Sequence, residues 1–347
     1  MLRSIFSKPY SRLYLVGDNA DWALDEETKQ LARVAKRLGI KAHRVKKMRF
    51  NIPQVVHYAS QFSLLDPSIY KSKNRISIDY FHGKPEHGES YKKCFEAMVQ
   101  RAEYISRIRV SNREMEDALK NYGVAPEKIQ RIPIGIDTAM FPPQTPDKKS
   151  AARAKLGIPA DAVVVGSFQK DGVGWGDGNE PKLIKGPDIF LKVIEKLRLE
   201  IPNLWILLSG PSRGYVRNGL DALGVPYRHE YLSKYADVSN LYDALDLYII
   251  ASREEGGPKA CLESMAKGIP LITTEVGQCK DLVLNGKNAM MAPVEDVLGL
   301  SRRALEVLRN TNLSQSLIRE GFKTAEENSY ESQTSLWHAY FKNLITS

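Results

Sequence analysis

The sequence predicts an α/β protein made of two Rossmann-like domains, and three observations lead to this fold class. Short apolar strands alternate with amphipathic helices along the 347 residues. The strands are near-continuous apolar runs, which is typical of parallel sheets covered by helices on both faces. A proline-rich segment, residues 141–146, interrupts the alternation, which then restarts. We therefore predict an N-terminal domain over residues 1–145 and a second domain over residues 146–327.

The elements of the first half follow from hydrophobic periodicity. Glycines follow two of the predicted helices, Gly39 and Gly123, as is common where a helix ends in a left-handed residue. The predicted strands are 13–16, 55–58, 76–81, 105–110 and 129–134, and the predicted helices are 26–38, 91–102 and 114–122.

The second half repeats the pattern. The predicted strands are 162–166, 204–208, 247–250 and 270–274, and the predicted helices are 187–199, 238–245 and 258–267. A last helix, within residues 328–347, carries Leu336, Tyr340 and Phe341 and is predicted to pack back on the N-terminal domain. Since ligands of such sheets bind beyond the carboxyl ends of the strands, we expect a binding site in a cleft between the two domains.

Composition excludes several classes of protein. With 43% apolar and 26% charged residues, the chain resembles an ordinary globular protein. No apolar run is long enough to span a bilayer, and no signal-peptide pattern is expected at the N-terminus. Cys94, Cys261 and Cys279 are unevenly spaced and lack a CxxC pair, which predicts reduced thiols and a cytoplasmic protein.

Positive charge is concentrated in the first half. Residues 1–145 contain 25 Lys and Arg against 16 Asp and Glu, whereas residues 146–347 contain 25 of each kind. Much of the excess lies in a basic patch between Lys29 and Arg49. Such a patch attracts phosphates, an anionic membrane or nucleic acid, although a solvated helix face explains it equally well. Aromatic residues are not interleaved with these cations, so we expect no nucleic-acid partner.

Two acids, Glu255 and Glu263, flank a turn between a predicted strand and a predicted helix. The turn contains Gly256, Gly257 and Pro258, with Pro258 expected at the first helical position. A helix N-terminus favours a bound anion, and a carboxylate on each side could bind a polyol. This layout matches a sugar nucleotide, but the same pattern also describes an α/β crossover that binds nothing.

The motifs around this turn make the chain similar to GT-B glycosyltransferases of the retaining family 4 type. The resemblance extends over about residues 76–290. Its motifs are Ser252, Glu255, Gly256, Glu263, Ser264-Met265-Ala266, Gly268-Ile269-Pro270, Val276-Gly277, Lys185-Gly186-Pro187-Asp188 and Gly135-Ile136-Asp137.

The resemblance implies a role for each matching residue. Glu255 would lie beside the donor sugar, and Glu263 would accept hydrogen bonds from the ribose. Lys185 would neutralise the diphosphate, and His82 would face the sugar or the acceptor. The backbone from Gly256 to Lys259, through Gly257 and Pro258, would hold the sugar or the phosphates.

The implied reaction retains the anomeric configuration by front-face substitution, in which a donor phosphate takes the acceptor proton. Fixed cations would stabilise the departing diphosphate, and a carboxylate would steady positive charge on the sugar ring. Because no Asp-x-Asp motif follows a strand, we expect no metal, and no cofactor besides a UDP- or GDP-sugar as donor substrate.

Three departures from the family pattern affect the donor side. The arginine expected after the first strand of the second domain is absent, and Lys170, Lys182 or Arg213 are the candidates to replace it. The glycine-rich loop 170–186 that carries Trp175 is either a mobile insertion or a lid. The Gly-Phe-Gly of the family is replaced by Gly256-Gly257-Pro258, which leaves the sugar undefined.

A further departure lies after the first strand, where a glycine pair is replaced by the segment beginning at Gly17. Gly17 is expected on the donor side, while Asp18, Asn19 and Trp22 are expected to shape the acceptor site.

The sequence thus predicts a retaining glycosyltransferase of surface polysaccharide or glycolipid biosynthesis, with peripheral membrane contact through the basic patch. The alternatives are a nucleotide-sugar epimerase on the same fold and a non-catalytic module that binds an anionic polymer or membrane.

Overall fold

The computed structural model describes residues 9–17, 23–48 and 52–345. The chain divides into two compact units, one of residues 1–134 with 330–347 and the other of residues 135–329. Residues 135–145, which the sequence analysis assigned to the N-terminal domain, lie in the second unit. The Gln144 side chain donates there to the carbonyls of Asp243 and Leu245, both at 2.9 Å.

The strands and helices are numbered in chain order. The strands are β1 Leu13–Val16, β2 Ala42–Val45, β3 Val55–Tyr58, β4 Arg75–Asp79, β5 Ile105–Val110, β6 Ile129–Arg131, β7 Val163–Phe168, β8 Leu204–Ser209, β9 Tyr227–Glu230, β10 Leu247–Ile250, β11 Leu271–Thr274 and β12 Met290–Ala292. The helices are α1 Ala23–Arg37, α2 Glu89–Gln100, α3 Arg113–Asn121, α4 Pro146–Leu156, α5 Pro187–Glu200, α6 Gly214–Leu223, α7 Val238–Tyr242, α8 Lys259–Lys267, α9 Cys279–Leu282, α10 Val297–Arg309, α11 Thr311–Glu327 and α12 Thr334–Phe341.

Each unit contains a six-stranded parallel sheet. The first has the order β2-β1-β3-β4-β5-β6, and the second has the order β12-β11-β10-β7-β8-β9. Numbered within its own unit, the second sheet has the order 6-5-4-1-2-3, which is that of a dinucleotide-binding Rossmann sheet. The predicted α/β fold of two Rossmann-like units is therefore confirmed.

The strands that the sequence analysis missed, β2, β9 and β12, all lie at the edges of their sheets. Edge strands are covered on fewer sides, so they need not be apolar runs. His43 and Arg44 in β2 and Arg228 in β9 are exposed. These side chains interrupt the apolar pattern by which a strand is predicted from sequence.

Pro146, which the sequence analysis placed in the linker, begins α4 instead. Thr145 caps this helix, because its hydroxyl accepts from the Lys148 N–H at 3.3 Å. Proline suits a first helical position, where its missing N–H costs no hydrogen bond. Gly157, with a φ of 64°, ends the helix. The last helix is shorter than predicted and covers only Thr334–Phe341.

A buried charge network ties the C-terminal segment to the first sheet. The Arg109 Nη1 lies 2.7 Å from Glu27 Oε1 and 3.4 Å from Asp79 Oδ2. Its guanidinium lies 4.6 Å from the ring centroid of Trp337, and the Tyr330 hydroxyl donates to Glu27. Burial alone would lower the pKa of Arg109, but Asp79 and Glu27 outweigh it and raise that pKa. One cation therefore joins β5, α1 and the segment after residue 329.

The described part of the chain contains neither a membrane-spanning helix nor a cluster of metal-binding side chains. No helix there is long and apolar enough to cross a membrane. No group of three or more His, Cys, Asp or Glu side chains there could hold a metal ion. The three cysteines are buried thiols without a disulfide.

Replacing Arg109 by leucine is expected to lower the free energy of unfolding of the N-terminal unit by about 3–5 kcal/mol, because Glu27 and Asp79 would keep buried charges without their cation. Urea denaturation followed by circular dichroism measures this loss. Arg107→Leu, on the same strand but partly exposed, is the control and is expected to cost less than about 1 kcal/mol. Equal stability of the two variants would contradict a structural role for the network.

Candidate functional site

The candidate site lies in the second unit, where the direction of strand succession reverses. The strands β7 and β10 are neighbours there. The strand that follows β7 in the chain, β8, lies toward one edge of the sheet, and the strand that follows β10, β11, lies toward the other edge. Ligands of open α/β sheets bind beyond the carboxyl ends of the strands at this point. The loops after Phe168 and Ile250 therefore define the site.

A tight turn at Ile184-Lys185-Gly186 is fixed against the loop that follows β10. The backbone N–H groups of Arg253 and Glu254 donate to the Ile184 carbonyl at 2.8 and 3.0 Å. Gly186 has a φ of 62°, and a Cβ there would lie 1.9 Å from the Ala251 carbonyl oxygen. Only glycine permits this approach, which sets the position of Lys185.

The side chain of Arg253 strengthens the same contact. Its guanidinium binds both carboxylate oxygens of Asp188 at 2.8 Å and donates to the Leu183 carbonyl at 2.7 Å. Bidentate pairs of this kind are geometrically specific as well as strong. The sequence analysis did not identify this pair, whose partners are 65 residues apart.

Lys185 and Glu255 form an ion pair at the centre of the site. The Lys185 Nζ lies 2.6 Å from Glu255 Oε2, and the Ser252 hydroxyl donates to Glu255 Oε1 at 2.9 Å. The side chains are 20% and 10% exposed, so both charges are largely removed from water yet reachable. Lys185 and Glu255, which belong to different sequence motifs, are thus in contact in the folded protein.

Two further lysines add positive charge beside this pair. Burial lowers the pKa of Lys182, and the charges of Lys185 and Lys170 lower it further, while Glu255 opposes the shift. Burial also lowers the pKa of Lys170, whose Nζ lies 3.7 Å from the ring centroid of Trp175. Three cations near one carboxylate give this region an excess of positive charge, which attracts anions.

The turn before α8 is held by the next loop of the sheet. The N–H of Gln278 donates to the Gly256 carbonyl at 3.0 Å. At Gly277, with a φ of 45°, a Cβ would lie 2.3 Å from the Glu255 carbonyl oxygen. The expected first helical position of Pro258 is corrected by one residue, since Pro258 is the N-cap and α8 begins at Lys259. Gly257 and Lys259 complete the turn and are partly exposed.

Glu263 lies on α8 and is only 4% exposed. The Tyr242 hydroxyl donates to its Oε2 at 2.9 Å, and the Tyr235 hydroxyl donates to its Oε1. Burial raises the pKa of Glu263, and Tyr235, Lys259 and Tyr242 oppose that shift. The sequence analysis missed both phenols, because nothing in the spacing of 21 and 28 residues indicates a contact.

Arg213, a candidate to replace the missing arginine, is buried under the site loops. Its Nη1 donates to the carbonyls of Ser167 and Ser209 at 2.6 and 2.9 Å, and its Nε lies 2.9 Å from Asp171 Oδ1. These donors are therefore engaged within the protein. The charges of Lys185 and Glu255 both act on the pKa of Lys182.

The glycine-rich loop 170–186 is folded back as a hairpin. Val173 donates its N–H to the Glu180 carbonyl at 2.9 Å, and Lys182 donates to the Asp171 carbonyl at 2.7 Å. The carbonyls of Asp177 and Gly178 accept the first N–H groups of α6. The hairpin is thus attached to a helix end, and it carries Trp175, which is 76% exposed.

The N-terminal unit holds the remaining predicted residues. Gly17 follows β1, and His82 lies shortly after β4, where the Gln61 side chain accepts from the Phe81 N–H at 3.3 Å. The His82 ring lies 5.2 Å from the Tyr91 ring, between centroids. Asp18, Asn19 and Trp22 lie outside the described residues.

The two parallel sheets and the position of the site define a GT-B architecture, and solved structures have the same fold. HepE from Anabaena, solved in complex with UDP and glucose, superposes with a TM-score of 0.78 at 15% identity, over 96% of this chain and all of that one. Sucrose-phosphate synthase from Thermosynechococcus elongatus gives 0.77 at 15% identity, over 96% and 99%.

Residues 181–324 match the family model of group 1 glycosyl transferases. D-inositol 3-phosphate glycosyltransferases are similar in sequence. The protein from Xylanimonas cellulosilytica is 26% identical over 201 residues, which are 55% of this chain and 45% of that protein. The protein from Segniliparus rotundus is 30% identical over 170 residues, 45% and 34% of the two chains. The chain spans about half or less of these relatives.

Replacing Gly186 by alanine is expected to lower the thermal midpoint of the second unit by several degrees, because the new Cβ would collide with the backbone of Ala251. Differential scanning calorimetry measures the shift. Gly174→Ala is the matched control, since Gly174 also has a positive φ, 75°, but has open space around its Cβ position. A midpoint no lower for Gly186→Ala than for the control would contradict the close approach of the two loops.

Proposed function

We propose that this protein is a retaining glycosyltransferase that moves a sugar from a nucleoside diphosphate sugar to an acceptor. The observation that carries the proposal is the ion pair of Lys185 and Glu255 at 2.6 Å, located where a Rossmann sheet binds its ligand. A sugar diphosphate presents both hydroxyl groups and anionic oxygens. Lys185 suits the anionic oxygens, and Glu255 suits the hydroxyl groups.

The lysines supply the charge that the leaving group needs. When the bond between the sugar and the diphosphate breaks, negative charge accumulates on the phosphate oxygens. Lys185, with Lys182 and Lys170 beside it, stabilises that charge electrostatically in a largely desolvated place. Three fixed cations support the proposal that no metal ion is required for departure.

Glu255 acts on the other side of the breaking bond. The sugar ring becomes positively charged as the diphosphate leaves, and a carboxylate close to the ring stabilises that state. Ser252 orients Glu255 through its hydrogen bond to Oε1. In front-face substitution the acceptor hydroxyl attacks from the side of the departing diphosphate, and a phosphate oxygen takes the proton.

The nucleoside is proposed to lie along α8, with its ribose at Glu263. The fold relationship to HepE, solved in complex with UDP, UDP-glucose, and UDP with glucose, supports a uridine or similar nucleotide. His82 is proposed to contact the donor sugar or the acceptor, and Gly17 to lie on the donor side.

We further propose that the acceptor is a saccharide or a lipid-linked saccharide at the inner face of a membrane, as in surface polysaccharide or glycolipid biosynthesis. A groove of about 450 Å³ between the end of α1 and the edge strand β2 supports this proposal. It is lined by Arg12, Ala32, Lys36, Ile40, Lys41, Ala42 and His43. A cationic rim around apolar side chains complements the headgroup layer of an anionic bilayer.

Part of the basic patch is already neutralised within the protein. Lys29 pairs with Asp25 at 3.0 Å, Arg44 pairs with the same carboxylate, and Arg37 lies 3.6 Å from Glu331. The exposed Lys36 and Lys41, which line the groove, are therefore the cations best placed to contact a membrane.

Lys185→Ala is expected to weaken binding of UDP or GDP by about 10- to 100-fold, because the variant lacks the charged group proposed to bind the phosphates. Isothermal titration calorimetry measures the affinities. Lys192→Ala, an exposed lysine on α5, is the control and should bind as the wild type does. Unchanged affinity of Lys185→Ala would refute the site, and no binding of any nucleoside diphosphate by the wild type would refute the function.

Lys36→Glu combined with Lys41→Glu is expected to reduce binding to vesicles of phosphatidylcholine and phosphatidylglycerol by about tenfold or more, since each cation near an anionic surface contributes about 1 kcal/mol. Flotation at low and high salt measures this. The control combines Lys155→Glu with Lys196→Glu, which gives the same change of net charge on exposed helices of the other unit. If both double variants lose binding equally, the patch has no specific role.

A further inference from the structure

The carboxylate proposed to bind the ribose is already occupied by the protein itself. Tyr235 donates its hydroxyl to Glu263 Oε1, and Tyr242 donates to Oε2 at 2.9 Å. Glu263 is 4% exposed, so its oxygens are screened from water in this state. A ribose hydroxyl could reach this carboxylate only if one phenol moved.

The two phenols differ in how firmly they are held. Tyr242 is fully buried, and its ring packs 5.0 Å from Phe168 and 5.3 Å from Tyr248, between centroids. This ring is part of the core of the unit. Its hydroxyl cannot leave Glu263 without disturbing that packing.

Tyr235 lies in a short turn of three residues, Tyr235–Asp237, between the exposed Lys234 and Ala236. Its ring is partly exposed. Phe141 lies 6.1 Å from it between centroids, and the Lys259 Nζ lies 5.2 Å from the ring centroid. Of the two phenols, Tyr235 is thus the less deeply buried and the better placed to turn away.

We infer that Tyr235 is a specificity-determining residue of the donor site, whose hydroxyl occupies on Glu263 the place that a ribose hydroxyl takes when the nucleotide binds. The inference rests on the proposed function. The exchange conserves the hydrogen bond, because one hydroxyl donor replaces another on the same oxygen. A ligand without that hydroxyl leaves Tyr235 in place, so Tyr235 determines specificity by reducing the affinity that the ribose hydroxyl would otherwise add.

Lys259 links this exchange to the phosphates. It lies in the first turn of α8, where a helix N-terminus favours an anion, and it is also within cation–π distance of Tyr235. A diphosphate at the helix end attracts the ammonium group and weakens its hold on the ring. Binding of the phosphates thereby favours movement of Tyr235 away from Glu263, and that movement favours binding of the nucleotide.

Tyr235→Phe tests the inference, because it keeps the ring and removes the competing hydroxyl. UDP, GDP and ADP are first compared on the wild type by isothermal titration calorimetry, and the tightest ligand is used together with its 2′,3′-dideoxy analogue. Tyr235→Phe is expected to bind the nucleoside diphosphate about 3- to 10-fold more tightly than the wild type, the scale of one hydrogen bond no longer broken. Its affinity for the dideoxy analogue should match that of the wild type.

Tyr242→Phe is the matched control, since it removes the other phenolic hydroxyl from the same carboxylate. It is expected to bind neither ligand more tightly, because that hydrogen bond persists in the bound state. Circular dichroism establishes that both variants are folded.

The outcomes separate this inference from the function on which it rests. If the wild type binds a nucleoside diphosphate but Tyr235→Phe binds it no more tightly, the inference fails and the proposed function stands. An equal gain for the dideoxy analogue also overturns the inference, because Tyr235 would then act without regard to the ribose. If the wild type binds no nucleoside diphosphate, both are wrong.

Discussion

The contact between the Lys185 turn and the loop after β10 is the constraint on which the site depends. It joins parts of the chain 70 residues apart through the Lys185–Glu255 pair and through the approach of Gly186 to the Ala251 carbonyl. Because the two charges neutralise each other, the protein can fold this turn without a ligand. A bound sugar diphosphate would replace the contact between Lys185 and Glu255 with two contacts to the ligand. Lys185 would bind a phosphate, and Glu255 would bind the sugar.

A comparable charge arrangement stabilises the N-terminal unit without serving chemistry directly. Arg109 is fully buried and is balanced by Glu27 and Asp79. Asp79 ends β4, and the N–H of Tyr80 donates to the Arg109 carbonyl at 2.8 Å, so the network adjoins the segment that carries His82. Removing one partner of such a network is costly, because the remaining charge stays buried. Charged side chains as well as aromatic packing thus attach the C-terminal segment to the first sheet.

The sequence was sufficient for elements whose signal is local. Central strands such as 204–208 are apolar throughout, and Gly123 and Gly268 mark helix ends, so their positions could be predicted. The edge strands β2 and β9 could not, because polar and charged side chains such as His43, Arg44 and Arg228 are permitted where one side of a strand faces solvent. Motif similarity pointed to Lys185, Glu255 and Glu263, but not to the contacts that these side chains make within the protein. Tyr235 and Arg253 reach the site through tertiary folding alone, and no periodicity encodes such distant contacts.

The acids at the site share one property, which is that each has an internal partner before any ligand arrives. Glu255 has Lys185, Glu263 has two phenols, and the underlying Asp171 has Arg213. Binding at such a site is an exchange of partners, so affinity depends on the difference between internal and external contacts. In the proposed function the same exchange would favour release, since a departing nucleoside diphosphate would leave no buried charge without a partner. In the proposed function the product is multiply charged, and this arrangement would speed its release, because tight capture alone would slow each cycle.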